Sequence, residues 1–407
     1  MKVSLFFSEE KIIKETTSIF ESIDQLKIDK IKKGYKTLFK SYKTLFKQFR
    51  RLIKLSDKQQ LRLRSLNEAL EIRNLFIKKT FGRYLSDDIV DTLLETPDGL
   101  KLGGERRVVT IMMTDLRGFT ALCETLSPED VLTIINTYLE TMTEVILKYN
   151  GTIDEIIGDG LFVIFGAPIQ NEDDAKRSVA CAIEMQMAMD SVNQRMKQMG
   201  FPKLALGIGL NTGVVVVGNI GSNIRTKYGI IGSNVNLTAR IESYTVGGQI
   251  FISENTLNAC ENLLRIDNIL EVLPKGVAEP MNIYEIGGIG DPYNLFLPEK
   301  NECQLTPLNQ KIDILICPIK SKHVSDDQLK ARIIQSSRTE CIIECDAQLD
   351  AFLNIKMFVF DSHNNLITQD LYAKVGKSIP GKALQYKLSF TSMPKKIKDY
   401  LIQCTRI

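Results

Sequence analysis

Two aspartates, Asp115 and Asp159, lie where a carboxylate could be presented to a divalent cation. Asp115 follows the apolar run Val-Val-Thr-Ile-Met-Met (108–113), which predicts a strand whose end delivers this carboxylate into a turn. Asp159 lies between two glycines, a pattern typical of a tight turn between two short strands. Hard oxygen ligands on neighbouring strand ends suit Mg²⁺ or Mn²⁺ that bridges the phosphates of a nucleotide. The pair therefore predicts metal-assisted chemistry at phosphate.

The two aspartates belong to a set of four motifs that follow one another along the chain. The motifs are Thr-Asp-Leu-Arg-Gly-Phe-Thr (114–120), Ile-Gly-Asp (157–159), Asn-Thr-Gly-Val-Val-Val-Val-Gly-Asn-Ile-Gly-Ser (211–222) and Ile-Gly-Ser-Asn-Val-Asn-Leu-Thr-Ala-Arg-Ile-Glu-Ser (231–243). Either aspartate motif alone would fit an ordinary α/β domain, but the ordered set is far more specific. It resembles the catalytic domain of class III nucleotidyl cyclases. The resemblance implies an α/β (α+β) fold with a ferredoxin-like core and a mixed sheet, and an active site shared by the two subunits of a homodimer.

The resemblance also implies roles for individual residues. Asp115 and Asp159 match the family's metal-binding aspartates, with the Leu116 carbonyl as a further ligand, for two Mg²⁺ or Mn²⁺ ions per active site. Asn236 and Arg240 match the pair that orients the ribose and stabilises the α-phosphate in the transition state. Their spacing of four residues places both on one face of a helix. The substrate is then GTP or ATP, cyclised with release of pyrophosphate.

Three more residues are expected to contact the substrate. Lys275, in Leu-Pro-Lys-Gly, matches the triphosphate-binding lysine of the family. Phe119 and Thr120 follow the first metal aspartate closely and are expected among the substrate-binding residues. A lone surface lysine is usually only solvated, so the prediction for Lys275 depends on the order of the motifs.

The choice of base depends on Glu155 and Gly229. Glu155 lies four residues before Asp159, where family adenylate cyclases carry Lys, and Gly229 replaces their Asp or Thr. A carboxylate can accept from guanine N1–H and the exocyclic amine, whereas adenine N1 is itself an acceptor. That mismatch costs roughly 1–3 kcal/mol in a buried pocket. The pattern favours a guanylate cyclase, although Gly229 departs from the usual Cys and leaves guanine O6 unread. An adenylate cyclase is the alternative.

The N-terminal residues predict a dimerising helix. Tyr-Lys-Thr-Leu-Phe-Lys starts at Tyr35 and again at Tyr42, and an apolar period of seven extends to Leu70. Polar Ser56, Gln59 and Arg73 interrupt this seam, so the coil is predicted to weaken or shift register there. Residues 1–75 are therefore predicted to form a coiled coil, with no other N-terminal element for this helix to pack against. Residues 76–104 resemble the segment that joins such helices to the cyclase domain, with Ser86 as the N-cap of a short helix. This segment is predicted to be a transducer or linker.

The rest of the chain divides into two predicted domains. Residues 105–290 alternate strands and helices and correspond to the catalytic domain. The predicted elements are 108–113, 128–149, 152–165, 172–199 and 204–217. Residues 303–407 carry short β runs and predict a small all-β domain. These runs are 312–317, 331–334, 341–345, 356–360 and 384–390.

The C-terminal β domain resembles a PilZ barrel in degenerate form. The Arg-x-x-x-Arg arm of that family is missing, and only Ser337 remains of its Asp-x-Ser-x-x-Gly turn, which would be 335–340. Cyclic-di-GMP is therefore not the expected ligand. An interaction or regulatory domain with another partner or ligand is the better prediction.

Composition excludes several other classes of protein. The 407-residue chain has a net charge of +3, too small to argue for a nucleic-acid partner. No apolar run approaches the roughly 20 residues of a membrane span, and the eight cysteines lack Cys-x-x-Cys spacing. A cytoplasmic protein with free thiols is expected. A catalytically idle signalling scaffold is the remaining alternative, and loss of a metal aspartate or of Arg240 would have favoured it. Neither is lost.

Overall fold

A computed structural model gives the architecture of the chain. It describes all residues except 1–6, 22–27, 82–101, 223, 278, 300–303, 321–322, 326, 364, 380, 383 and 406–407. The chain divides into two compact units, Met1–Arg83 and Tyr84–Ile407. None of the helices in the described part combines the length and the apolarity needed to cross a bilayer. The predicted cap at Ser86 lies outside the described residues.

The first unit consists of two helices. They are α1 (Phe7–Glu21) and α2 (Ile28–Phe81). Helix α2 contains no proline and is rich in Lys, Leu, Arg and Gln, which favours a long uninterrupted helix. Ile12 and Ile13 of α1 lie beside Leu38 of α2. The expectation that no other N-terminal element would pack on the long helix is therefore wrong, because the weakly apolar segment that forms α1 was missed.

Most of the predicted heptad seam lies on the exposed surface of α2. The exposed apolar side chains include Tyr35, Tyr42, Phe49, Leu52, Leu63, Leu66 and Leu70. Tyr35 is 67% exposed and Leu63 60%, values that would leave a large apolar stripe in water. A stripe of this kind suits a second helix, so the coiled coil remains a prediction that this surface favours. The helix itself continues to Phe81, beyond the predicted boundary at 75.

The second unit begins with an α/β domain whose elements alternate as predicted. They are β1 (Gly103–Leu116), α3 (Phe119–Cys123), α4 (Pro128–Lys148), β2 (Thr152–Ile157), β3 (Gly160–Phe165), α5 (Asp174–Gln198), β4 (Leu206–Gly221), β5 (Thr226–Ile231), α6 (Ser233–Ser243), β6 (Gln249–Ser253), α7 (Glu254–Ala259), β7 (Leu264–Val272), β8 (Met281–Ile289) and β9 (Leu295–Phe296). Among the described residues the strand order is β2-β3-β1-β4-β6-β8-β7, with β5 beside β4 and β9 beside β8. Strands β4 and β6 are parallel and the other pairs antiparallel, which confirms the mixed sheet.

Helices α4 and α5 cover one face of this sheet. Helix α4 begins as its sequence predicts: Ser127 Oγ accepts from the Asp130 N–H at 3.2 Å, and Pro128 occupies the first turn. The fully buried side chains between helices and sheet include Ile134, Tyr138, Met142, Val179, Ile183, Val163 and Ile208. On the opposite face, Ile111, Phe162, Ile164, Val217 and Ile230 form a smaller core. These two cores therefore support the ends of β1, β2 and β5 from both faces of the sheet.

The C-terminal residues form a six-stranded β barrel. Its elements are β10 (Thr306–Lys320), the short β11 (His323–Val324), β12 (Leu329–Ser336), β13 (Glu340–Cys345), β14 (Asn354–Phe360), β15 (Leu366–Ser378), β16 (Gln385–Ser392) and α8 (Lys395–Thr405). Pairing of β10 with β14 closes the barrel. All five predicted β runs are strands. Strand β15 and helix α8 were not predicted, and Ile397 and Leu401 bury the helix against the barrel core.

Candidate functional site

Five of the predicted site residues line one cavity. Strand β1 ends at Leu116, and the antiparallel pairing of β1 with β3 brings the β2–β3 turn beside that end. Asp115, Leu116, Asp159, Phe119 and Thr120 thereby line a cavity of about 320 Å³, called here the aspartate cavity. Both carboxylates face one space, as two ligands of the same metal centre must.

The two carboxylates are held in different ways. Asp159 Oδ2 accepts a hydrogen bond from the Leu116 N–H at 3.0 Å, which fixes the turn against the end of β1. Asp115 Oδ2 lies 2.9 Å from Arg117 Nη1, and the Asp115 side chain is 32% exposed. No cluster of three His, Cys, Asp or Glu side chains occurs in the described part of the chain. Two carboxylates and a backbone carbonyl fit Mg²⁺ or Mn²⁺, which use few protein ligands and take the remainder from water and phosphate.

Arg117 is a functional candidate that the sequence analysis did not single out. Besides Asp115, its guanidinium binds the Glu242 carboxylate, the Glu242 carbonyl at 3.0 Å and Thr245 Oγ1 at 2.5 Å. Burial raises the pKa of the Glu242 carboxyl, and the charge of Arg117 opposes that rise. Arg117 therefore ties the aspartate cavity to the C-terminal end of α6. The sequence offered one signal for Arg117: it is an arginine two residues after Asp115, between two predicted elements.

Helix α6 carries Asn236 and Arg240 and lies unusually close to β4. A Cβ on Gly209 would lie 2.4 Å from the Glu242 backbone nitrogen, so any side chain at 209 would push α6 away. Asn234 Nδ2 donates to the Val214 carbonyl at 2.9 Å and fixes the start of the helix. Gly209 and the side-chain amide of Asn234 therefore set the position of α6 on the sheet.

Arg240 and the Lys275 turn lie together. Arg240 Nη2 is 3.6 Å from the position that a Cβ on Gly276 would take, and Lys275 is exposed in the same turn. Asn236 is exposed one helical turn before Arg240. The predicted α-phosphate, ribose and triphosphate contacts therefore share one surface at α6.

The predicted base-reading residues lie in a third place, where β2 and β5 approach each other. Lys227 Nζ lies 2.9 Å from Glu155 Oε2 and 3.0 Å from Asp154 Oδ2. A Cβ on Gly229 would lie 2.9 Å from Asp154 Oδ1. Burial raises the pKa of the Asp154 carboxyl, and Lys227 opposes that rise. Asp154, Glu155, Lys227 and Gly229 form what is called here the β2–β5 cluster, and its Asp154 and Lys227 were missed.

Five of the ten predicted site residues lie outside the lining of the aspartate cavity. They are Asn236, Arg240, Lys275, Glu155 and Gly229. Glu242, two residues after Arg240 on α6, does line the cavity. The C-terminal end of α6 therefore borders the cavity, although Asn236 and Arg240 are not part of its lining.

The β barrel of the same unit contacts both the aspartate cavity and α6. Asn354 and Tyr372 of the barrel line the cavity. Lys374 of β15 is buried, and its ammonium donates to the Ser243 carbonyl and, at 2.7 Å, to the Thr245 carbonyl. Burial lowers the pKa of Lys374. These carbonyls end α6, so a barrel lysine caps the helix that carries Arg240.

Reversing the charge of this cap should weaken the second unit. In Lys374→Glu a carboxylate replaces the ammonium and faces two carbonyl oxygens, with Glu242 nearby. We expect a loss of about 3 kcal/mol or more in the free energy of unfolding, because buried acceptors lose their donor and gain a like charge. Denaturant unfolding followed by circular dichroism measures it. Lys330→Glu, an exposed charge reversal in the same barrel, is the control. Equal stability of the two variants would contradict the importance of the Lys374 contact.

Comparison with known proteins identifies the α/β domain. Residues 104–288 match the family model of the adenylate and guanylate cyclase catalytic domain. The crystal structure of the guanylyl cyclase Cya2 is 53% identical in sequence, with 48% of this chain and 100% of that chain covered and a TM-score of 0.48. The adenylyl cyclase CyaB from P. aeruginosa is 35% identical, with 47% of this chain and 98% of that chain covered and a TM-score of 0.45.

Curated relatives carry the same domain within longer chains. An adenylate cyclase of Anabaena cylindrica is 32% identical over 245 residues, which are 54% of this chain and 47% of that protein. Adenylate cyclase 1 of Rhizobium meliloti is 27% identical over 212 residues, or 52% of this chain and 32% of that protein. The chain thus spans less than half the length of these two relatives. Residues 104–288 therefore form a catalytic domain of the class III adenylate and guanylate cyclase type.

Proposed function

We propose that this chain is a guanylate cyclase that converts GTP to 3′,5′-cyclic GMP and pyrophosphate in a homodimer. The observation that carries the proposal is the shared cavity of Asp115 and Asp159, together with the position of Asn236 and Arg240 outside it. In a two-fold symmetric dimer, the aspartates of one subunit and α6 of the other can together form two equivalent sites. The match of residues 104–288 to the adenylate and guanylate cyclase catalytic domain supports the reaction class.

In this reaction the ribose 3′-oxygen attacks the α-phosphorus, loses its proton, and pyrophosphate departs. Negative charge builds up on the nucleophile, the phosphoryl oxygens and the leaving group, so positioning and electrostatics dominate. Asp115, Asp159 and the Leu116 carbonyl would hold two Mg²⁺ or Mn²⁺ ions. When bound, such ions lower the pKa of the attacking hydroxyl and compensate charge on the phosphates.

The remaining predicted residues act directly on the nucleotide. Arg240 donates its fork of N–H groups to the α-phosphate, and Asn236 orients the ribose. Lys275 pairs with the terminal phosphates. Thr120 is exposed at the aspartate cavity and is available to the triphosphate. The Phe119 side chain is only 8% exposed and packs into the core, so it anchors the segment that follows β1.

The proposed substrate is GTP in preference to ATP. Glu155 supports it, since a carboxylate matches the two donors of guanine. The alternative is an adenylate cyclase, and the names of the curated relatives give weight to it. We place the enzyme in the cytoplasm because the described cysteines are free thiols, which persist in a reducing compartment. The barrel keeps its proposed role as an interaction or regulatory domain.

Product identification tests the proposal. Purified full-length chain is incubated with GTP or ATP and either Mn²⁺ or Mg²⁺, and the products are separated and identified. Cyclic GMP from GTP is expected to dominate, and a chelator should stop the reaction. Dominant cyclic AMP would overturn the choice of base and favour the alternative. Absence of a cyclic product from either nucleotide would favour an idle nucleotide-binding scaffold.

Removing residues 1–75 tests the contribution of the N-terminal seam to the dimer. This variant loses α1 and most of α2, so the catalytic domains must associate through their own surfaces. We expect specific activity to rise with protein concentration, because dissociated chains lack complete sites. Dilution series of the variant and the full chain, with sedimentation of both, provide the measurement. Activity per milligram that stays constant on dilution would mean that the coil is dispensable for dimerisation.

A further inference from the structure

The β barrel packs against the catalytic domain at the aspartate cavity. Strands β10, β14, β15 and β16 all contribute to the lining of that cavity, with Asn354 and Tyr372 among the contributing residues. A Cβ on Gly118, three residues after Asp115, would lie 2.9 Å from Ser392 Cβ. Strand β16 therefore lies directly against the turn that follows the first metal aspartate. The barrel forms one wall of the proposed metal site.

A second set of contacts joins the barrel to the end of α6. Phe352, in the loop before β14, packs onto an apolar cluster that includes Ile241 of α6. Its ring meets the Tyr244 ring edge-on, with centroids 5.2 Å apart and planes at 83°. Phe352 has a φ of 66°, a conformation that a bulky residue keeps only where packing holds it. Together with the Lys374 cap, this ring fixes the barrel on α6.

The docked barrel leaves limited space at the aspartates. The cavity volume of about 320 Å³ lies at the lower end of the roughly 300–1,000 Å³ of small-molecule pockets. In the proposed function, the same space must hold a triphosphate, two metal ions and side chains from α6 of the second subunit. A wall made by the barrel bounds this space on one side. The barrel and the complete set of reacting groups therefore compete for one surface of the catalytic domain.

Each of the two domains has an apolar core of its own. The core of the catalytic domain includes Ile134 and Val179, and that of the barrel includes Ile333 and Leu388. Domains with separate cores can part without unfolding, and contacts between domains of one chain resemble transient interfaces. Because one chain carries both domains, the barrel redocks without a second molecule. Docking and release are therefore two states of a folded chain.

We propose that the barrel is an autoinhibitory domain, which closes the aspartate cavity when it docks through Phe352, Lys374 and Ser392. Its release opens the cavity to the nucleotide and to the second subunit. This inference rests on the proposed function and adds a regulatory step to it. The surface around Gly118 and Tyr244 then has one occupant at a time, either the barrel or the reacting groups. A barrel that only supports α6 makes the opposite forecast, because its release would lower activity.

Two variants of the full chain weaken docking by opposite means. Phe352→Asn removes the ring and keeps a residue type that tolerates positive φ, whereas Ser392→Gln adds bulk against the Gly118 turn. Lys374 stays intact in both, because its loss would also uncap α6. We expect each variant to raise kcat/KM by at least about fivefold, for whichever nucleotide the unmodified chain converts.

The matched controls carry the same replacements elsewhere on the barrel. Leu384→Asn also changes an exposed residue at positive φ, and Ser362→Gln adds the same bulk at an exposed turn. Neither Leu384 nor Ser362 lines the aspartate cavity, so both controls should keep the activity of the unmodified chain.

Amide hydrogen exchange of the same proteins measures docking without reference to activity. In both docking variants, exchange should become faster at residues 116–121 and 243–246, while residues 341–345 in the barrel core stay protected. Faster exchange with unchanged or lower activity would overturn autoinhibition and leave the barrel as a support for α6. Unchanged exchange and activity in both variants would overturn the proposed docking contacts. If the unmodified chain makes a cyclic nucleotide and these variants make no more, only this inference fails; if none of the proteins makes one, the proposed function fails with it.

Discussion

Asp115→Asn and Asp159→Asn are each expected to lower kcat by about a hundredfold or more, with the fold preserved. Each variant removes one of the two aspartate carboxylates that line the aspartate cavity. Metal-ion charge compensation is worth several kcal/mol in the transition state, and each 1.36 kcal/mol is a factor of ten in rate. Turnover at saturating Mn²⁺ and saturating GTP is the measurement. Thermal unfolding of the same preparations checks that the second unit remains folded.

The matched control is Asp190→Asn. Asp190 is exposed on α5 and does not line the aspartate cavity, so its loss should leave turnover close to that of the unmodified chain. Asp115→Asn carries one additional effect, because Arg117 loses a partner at 2.9 Å but keeps Glu242 and Thr245. Asp159→Asn likewise changes the group that accepts the Leu116 N–H hydrogen bond at 3.0 Å. Near-normal turnover in either aspartate variant at saturating Mn²⁺ would show that the metal assignment is wrong.

Much of the catalytic domain could be predicted because its sequence patterns are local. The apolar run before Asp115 and the glycines around Asp159 specify a strand end and a turn, and these elements form as expected. Asn236 and Arg240 lie one turn apart on α6, as their spacing of four residues predicts. The local patterns therefore predicted the strand end at Asp115, the turn at Asp159 and helix α6 without any knowledge of tertiary contacts.

The missed features depend on contacts between distant segments. Strand β15 contains Gln369, Asp370, Lys374 and Gly376, which obscure an alternating pattern, and Lys374 is buried only because α6 offers carbonyls to its ammonium. Helix α8 is short and polar apart from a stripe that the barrel covers. Propensity and periodicity do not register such contacts.

The base-reading region shows the same limit at a smaller scale. Considered alone, Gly229 predicts that no side chain at this position contacts guanine O6. In three dimensions, Asp154 occupies the vacated space, and Lys227 joins Asp154 to Glu155. The chemistry at this location therefore belongs to two strands, β2 and β5, and neither segment alone predicts it.

Co-expressed Asp115→Ala and Arg240→Ala chains, associating at random, are expected to recover roughly a quarter of the unmodified activity. Each variant alone should be nearly inactive, because every site of its homodimer lacks either a metal ligand or the α-phosphate contact. In the mixed dimer, both lesions fall into one site and the other site is intact. Random association makes half of the dimers mixed, and each of these has one working site of two. Activity of the co-expressed pair is the measurement.

The two chains should carry different affinity tags and be purified through both, so that only mixed dimers are assayed, and these should then show about half of the unmodified activity. Co-expression is required because helices with a long apolar seam can exchange slowly. A mixed dimer of Asp115→Ala with Asp159→Ala is the control: both lesions affect the metal site of their own subunit, so neither site is intact and no recovery is expected. Recovery in the first pair alone would support a site shared between subunits. Verified mixed dimers of the first pair that remain inactive would contradict the shared site and assign all catalytic residues to one chain.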